Sequence, residues 1–203
     1  MIQPIVEGYG EVPAVPLLVR RLGELMGIPY VPVGAPFRSK RSQLVQRDGL
    51  QRIIGRARGE PGCMGLLVLF DADDDCPKEK APQLLVWAQE AATPLPCAVV
   101  MANREYEAWF LGNLEVLLGQ RGIIPAQPYD RDPEAKRDAK GEIESRFGRH
   151  FHYVEKEDQP SLTAMTDWAL VHQRCRSFRK MTKEARRLLL ACGFNPEPWP
   201  PAA

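Results

Sequence analysis

The hydrophobic pattern alternates between short apolar runs and longer stretches with helical spacing. "IQPIV" (Ile2 to Val6) reads as a first strand. In "VPAVPLLVRRLGELMG", Val15, Leu18, Val19, Leu22 and Met26 recur at the spacing of one helical face, and Gly27 suits its C-terminal cap. "YVPVG" fits a second strand, and "LQRIIGRAR" (Leu50 to Arg58) an amphipathic helix. "GLLVLFD" and "CAVVMA" are continuously apolar, as expected of central strands covered on both faces. "KAPQLLVWAQEAA" reads as the helix between them, and "EYEAWFLGNLEVLLG" as the amphipathic helix that follows. Strands and helices in alternation predict an α/β fold with a mostly parallel sheet.

From about Gly122 the pattern changes. "IIPAQPYDRDPEAKRDAKGEIESRF" is rich in proline and charge before turning helical, and "DQPSLTAMTDWALVHQRCRSFRKMTKEARRLLLACGF" reads as two further helices. The tail "FNPEPWPPAA" is expected to be irregular. One domain over residues 1–203 is predicted, with a core over about 1–120 and a helical C-terminal extension over about 121–195.

Composition narrows the class. The chain of 203 residues is long enough for a sizeable core, and 44% apolar with 26% charged residues is ordinary for a soluble globule. With a net charge of +1, a nucleic-acid partner would have to be met by a local basic patch. Five cysteines with no CxxC pair predict free thiols in a reducing compartment. The start "MIQPIVEGYGE" lacks the charged start of a signal peptide and turns acidic too early, and no apolar run reaches the roughly 20 residues of a membrane helix. These features predict a cytoplasmic protein without a membrane partner. Walker and dinucleotide glycine fingerprints are absent from the sequence, so an ATPase or NAD enzyme finds no support.

The candidate chemistry lies at three strand ends. "VEGYGE" places Glu7 and Glu11 after the first strand, with Gly8 and Gly10 allowing a tight turn and close backbone approach. "FDADDD" ends the central strand; Asp71 and Asp73 share strand parity, Asp75 continues it beyond the expected strand end, and Asp74 is expected to face water. "NREYEAW" puts Glu105 and Glu107 near a helix start, where the helix dipole alone also favours acids. On one helix these two lie roughly 200° apart, so Glu107 is the candidate and Glu105 its alternative. Carboxylates gathered at the carboxyl edge of a parallel sheet repel one another unless a proton or a hard cation joins them. Mg²⁺, with its preference for oxygen ligands, fits that role.

These motifs resemble the Toprim domain: a glutamate after the first strand and Asp-x-Asp after a central apolar strand. Together, "VEGYGE", "LFDADDDCP", "ANREYEAWFL", "RDAKG", "DQPSLTA" and "RSFRKM" are similar to a little-characterised bacterial Toprim-like family, often encoded beside AAA-type ATPases in defence loci and related to overcoming-lysogenization-type nucleases. The resemblance implies a Toprim-like fold, Mg²⁺ or Mn²⁺, and phosphodiester cleavage in DNA or RNA, as an antiphage effector or as a non-catalytic regulatory partner of the ATPase. It implies Glu7 as metal ligand or general acid/base, and Glu11, Asp71, Asp73 and Glu107 as metal ligands, with Asp75 and Glu105 ranked lower.

Lys140 in "RDAKG" corresponds to the functional lysine of Toprim nucleases, or else is an exposed lysine at a helix start. Asp158 and Gln159 in "EDQPSL" are either site residues or part of a helix cap, with Asp158 or Ser161 as the capping residue. Two basic runs are candidate phosphate tracks: Arg38, Lys40, Arg41 and Arg47, and Arg176, Arg179, Lys180, Lys183 and Arg187. "HFH" (His150 to His152) on a strand could bind a metal or serve structure.

Overall fold

The computed structural model describes residues 1–117, 128–135, 137–148 and 152–201. Four strands form its sheet: β1 (Ile2–Val6), β2 (Phe37–Arg38), β3 (Gly65–Asp71) and β4 (Cys97–Ala102). They are all parallel and lie in the order β2-β1-β3-β4. The helices are α1 (Glu11–Leu25), α2 (Arg41–Leu44), α3 (Arg47–Arg58), α4 (Pro77–Ala92), α5 (Glu107–Leu111), α6 (Ala139–Glu144), α7 (Glu155–Met165), α8 (Trp168–Arg174) and α9 (Arg176–Ala191). The α/β class and the helical C-terminal region are as the sequence pattern predicts. Among the described residues, no helix is long and apolar enough to cross a membrane.

Alternation of side chains along the central strands splits the core in two. Leu67, Leu69, Ala98 and Val100 pack with α1 and α9 on one face. Leu66, Val68, Phe70, Val99 and Met101 pack with α3 and α4 on the other. This is why β3 and β4 read as unbroken apolar runs: neither face meets water. The C-terminal α9 is therefore part of the layer that covers the sheet. An aromatic cluster of Tyr106, Trp109, Phe110, Trp168 and Phe178 joins α5 to α8 and α9, with Trp109 Nε1 donating to Ser177 Oγ at 2.9 Å.

Three expectations are corrected. "YVPVG" makes one isolated bridge, Val33 to Ile2, and the regular pairing falls later, on Phe37 and Arg38; Pro32 has no N–H to extend a ladder there. The helix expected over "EYEAWFLGNLEVLLG" is regular for five residues only and gives way to turns from Gly112. Its continuation is replaced by tertiary contacts, as Arg174 donates to the Gly112 carbonyl and the Asn113 side chain accepts the Asp167 N–H. The stretch from Asp158 to Phe194 runs through three helices where two were expected, because Asp167 starts a new one by accepting from the N–H groups of Ala169 and Leu170. The tail from Phe194 is irregular through Pro201. All five cysteines are free, Cys97 and Cys175 buried and Cys76 exposed.

Candidate metal centre

The turn after β1 is built around one carboxylate. Glu11, the first residue of α1, folds back so that Oε2 accepts the N–H groups of Glu7 (2.8 Å) and Gly8 (2.6 Å). These are donors that the strand-to-helix turn would otherwise leave without partners. Of the two glycines, Gly10 is the one that close approach requires. A Cβ there would collide with the Gln159 side chain and lie 2.7 Å from the Glu155 carbonyl, so α7 closes over the turn.

The acidic run after β3 does not act as one unit. Asp71, the last strand residue, points inward, and its Oδ1 accepts the Tyr106 N–H at 2.8 Å. Asp73 lies past the strand at φ 49°, so the expected shared parity with Asp71 is lost. Its carboxylate instead pairs with Arg41 at 3.2 Å. The same guanidinium pairs with Asp75 and donates to the carbonyls of Asp71 and Ala72. Arg41 is thus a clamp that shapes this loop, and its fork is fully engaged there. Asp74 faces water as expected and, among the described residues, pairs with Arg104 (2.9 Å) and Arg137 (2.8 Å).

At the end of β4 the chain reverses at Arg104, whose φ is 67°. The helix begins only at Glu107, so Glu105 escapes the 200° separation expected of two residues on one helix. Both glutamates line the same cavity. Glu107 is buried and accepts the Tyr153 hydroxyl at 2.8 Å; Glu105 accepts the main-chain N–H of Lys140 at 3.1 Å. The Lys140 ammonium is ion-paired with Glu155.

The shared cavity has a volume of about 210 Å³. Glu7, Glu11, Asp71, Glu105, Glu107, Lys140, Glu155 and Gln159 line it. Burial pushes Glu11 up to about 8, and the charges of Glu107 and Glu7 push in the same direction. Burial raises Glu107 to about 7, reinforced by Glu105 and Glu155 and opposed by the Tyr153 hydrogen bond. Asp71 is held well above the usual carboxylate range by burial, then by Glu11 and Glu107. Burial also raises Glu7, against the lowering influence of Arg41. Its Oε2 is a buried oxygen without a hydrogen-bond partner among the described residues.

The donor set is all oxygen, and a buried acceptor lacking a donor beside mutually repelling carboxylates suits a hard divalent cation. The acids surround the cavity at a distance: among the described residues, no group of three His, Cys, Asp or Glu side chains converges tightly enough to hold a metal ion. Glu7, Glu11, Asp71 and Glu107 are the expected metal ligands that line the cavity. Asp73 and Asp75 stand outside, on Arg41.

The remaining candidates scatter. Asp158 lies inside α7, where its Oδ2 accepts the Val154 N–H at 2.6 Å and fixes the helix start; Ser161 sits further along the same helix. Arg38 lies at the mouth of the turn, with its guanidinium 4.0 Å from the Tyr9 ring centroid and Nη1 3.3 Å from the Glu7 carbonyl. Lys40 is exposed nearby, and Arg47 pairs with Glu90. The second basic run is divided. Arg179 caps α8 through the carbonyls of His172 and Gln173. Arg187 and Lys180 share Glu184, and Arg176 and Lys180 line a groove at the sheet edge. Lys183 is exposed. His150 lies outside the described residues, and His152 meets Glu144 at 3.0 Å.

Sequence reasoning missed Glu155 and Tyr153, while Gln159, weighed with Asp158 as a cap or a site residue, lines the cavity. The cue for Glu155 was available in "EKEDQ", a second acidic run that opens α7.

The model of a family described as domain of unknown function (DUF4276) matches residues 6–184. No curated protein and no solved structure matches the chain.

Proposed function

The chain belongs to the DUF4276 family, a domain of unknown function, and we propose that it is a divalent-metal-dependent phosphodiester hydrolase of Toprim type acting on DNA or RNA. The observation that carries this reading is the convergence of Glu7, Glu11, Asp71 and Glu107 from three strand ends on one cavity, where Glu7 keeps a buried oxygen without a donor. Mg²⁺ or Mn²⁺ bound there would neutralise charge developing on a phosphate and acidify a water.

Glu7 takes the proton of the attacking water, a task helped by a pKa raised through burial. Glu11, Asp71 and Glu107 would hold the cation, and Asp71 is kept in place by the Tyr106 N–H. Lys140, at the cavity wall, offsets negative charge on the transferring group once a phosphate competes with Glu155. Arg38 and Lys40 lead the nucleic-acid backbone toward the opening, while Arg179 caps α8 and Arg176 and Lys180 line a separate groove.

Supercoiled plasmid, linear DNA and tRNA, each incubated with the protein and Mg²⁺ or Mn²⁺, test the reading. Cleavage of one substrate class is expected, with rates at least about 100-fold lower for Glu7→Gln and Asp71→Asn. Equal cleavage by wild type and both variants would overturn it.

A second reading is a Toprim-fold regulatory partner of a neighbouring AAA-type ATPase in a defence locus. The engagement of Asp73 and Asp75 by Arg41, which withholds two acids from the cavity, favours it. Its mark is stable co-purification with the ATPase, unchanged by Glu7→Gln.

A further inference from the structure

The turn between β1 and α1 carries an aromatic side chain that the acidic cavity does not use. Tyr9 stands between Gly8, which lines the cavity, and Gly10, which lies close against α7. Its residue is 52% exposed, on a turn that is otherwise tightly held. Glu11 accepts the N–H groups of Glu7 and Gly8, and the Gly10 carbonyl accepts the Ala14 N–H at 3.1 Å. The ring is therefore presented to solvent from a rigid support.

Arg38 from β2 and Lys156 from α7 both attend this ring. The Arg38 guanidinium lies 4.0 Å from the ring centroid and the Lys156 ammonium 4.6 Å from it. The negative face of the ring attracts both charges. Among the described residues neither is ion-paired: Glu155, beside Lys156 in the chain, is taken by Lys140. The two are held differently. Arg38 is anchored, donating to the Glu7 carbonyl at 3.3 Å and to the Tyr9 hydroxyl at 3.2 Å. Lys156 is exposed, a point charge on a flexible stem.

An exposed aromatic face beside two cations offers what an unpaired nucleotide needs, a π surface for the base and positive charge for the phosphate. A regular duplex keeps its bases stacked inside and has no face to give. An acidic peptide would use the cations and leave the ring idle. The position suits the cavity as well. Two residues of chain, at most about 7 Å, separate Tyr9 from Glu7, so a base on the ring leaves a neighbouring phosphate within reach of the cavity mouth.

We propose that Tyr9, with Arg38 and Lys156, is a stacking platform for an unpaired base, by which the chain selects single-stranded DNA or RNA over duplex. The proposal rests on the reading of the cavity as a phosphodiester site and names the strand form that site takes. The base displaces Lys156 from the ring onto a phosphate, while Arg38 keeps the ring oriented through its hydroxyl.

Fluorescence anisotropy tests it with short labelled oligo(dT) and oligo(U) and a duplex of the same length, with Ca²⁺ in place of Mg²⁺ and the oligonucleotides checked for intactness on gels. Single strands are expected to bind more tightly than duplex, and the stronger of the two assigns DNA or RNA. Tyr9→Ala and Tyr9→Leu are expected to weaken single-strand binding at least about fivefold, with duplex binding and melting temperature kept, while Tyr9→Trp retains it. Lys156→Ala is expected to lower the salt slope by about one and keep the preference for single strands. Absence of binding, equal affinity for single strand and duplex, full retention by Tyr9→Ala or Tyr9→Leu, or equal displacement by polyglutamate would overturn the proposal. Cleavage of single strands by Tyr9→Ala as efficient as by wild type would remove the platform and leave the hydrolase. Tyr9-dependent binding without cleavage in Mg²⁺ or Mn²⁺ would keep the platform and remove the hydrolase.

Discussion

One oxygen of Glu11 accepts the main-chain N–H of Gly8 at 2.6 Å and that of Glu7 at 2.8 Å, while the carboxylate that carries it is buried and pushed up to about 8. The side chain therefore braces a turn and repels its neighbours when ionised. Glutamine separates the two effects. Glu11→Gln keeps an acceptor oxygen and loses the charge, so it should melt higher than wild type at pH 9, where Glu11 is ionised, and close to wild type at pH 4, where Glu11 is protonated in the folded and largely so in the unfolded chain. Glu11→Ala strands both N–H groups and should cost about 1–3 kcal/mol at either pH. Thermal melts at the two pH values check both.

The same burial makes the whole cavity sensitive to pH. The ordinary glutamate value is 4.5, and in the folded chain Glu107 lies at about 7 and Glu11 at about 8, with Asp71 raised as well. Above about 4.5 the unfolded chain releases protons that the folded chain keeps, so stability should fall as pH rises and level off above about 8. Millimolar Mg²⁺ or Mn²⁺ should reverse the fall at pH 8 and do little at pH 5, because only the ionised carboxylates bind it. Urea midpoints at the two pH values, with and without cation, measure this. A midpoint at pH 8 that does not respond to either cation would remove the metal from the proposed function.

How far the sequence discloses this arrangement depends on the range of the interactions. β1, β3 and β4 could be placed from their apolar runs to the residue, because burial on both faces leaves β3 and β4 no polar position before Asp71 and leaves β1 only Gln3. Glu7, Asp71 and Glu107 could be assigned to one site because the carboxyl ends of parallel strands must lie together. Asp73 could not be excluded, since its removal depends on Arg41, thirty-odd positions earlier, reaching across the sheet edge. Glu105 could not be included, since that depends on the left-handed Arg104 delaying the helix. Glu155 and Gln159 come from α7, whose close approach to the turn is marked in sequence by a glycine at position 10.

That approach can be tested directly. Gly10 has φ −71°, so alanine is acceptable to the backbone, and the obstacle is purely steric. Its Cβ would meet the Gln159 side chain and the Glu155 carbonyl. Gly10→Ala should destabilise the protein by about 1–3 kcal/mol, as overpacking does, and increase proteolysis near α7. Denaturant melts and limited proteolysis read the two effects.

Arg41 offers a contrast between structure and nucleic-acid binding. A phosphate-contacting arginine, once removed, weakens binding uniformly and reduces its salt dependence. Arg41 instead donates to the Asp71 and Ala72 carbonyls and pairs with Asp73 and Asp75. Arg41→Ala should cost about 1–3 kcal/mol and raise hydrogen exchange over residues 71–76. Arg38→Ala and Lys40→Ala should leave stability near wild type and reduce the salt slope of oligonucleotide binding.

Tyr153 connects the cavity to its pH response. Its hydroxyl donates to Glu107 Oε1 at 2.8 Å and stabilises the ionised carboxylate, against burial and the charges of Glu105 and Glu155. Tyr153→Phe keeps the ring that packs against Phe147 and removes only this donor. Glu107 must then lie above its present value of about 7. If cleavage requires Glu107 ionised to hold the cation, the acidic limb of the pH–rate profile moves to higher pH while the rate on the alkaline plateau is retained. The cation affinity at pH 7 falls in step, and raising pH restores it. A variant that loses rate equally at every pH would show that Tyr153 serves packing alone.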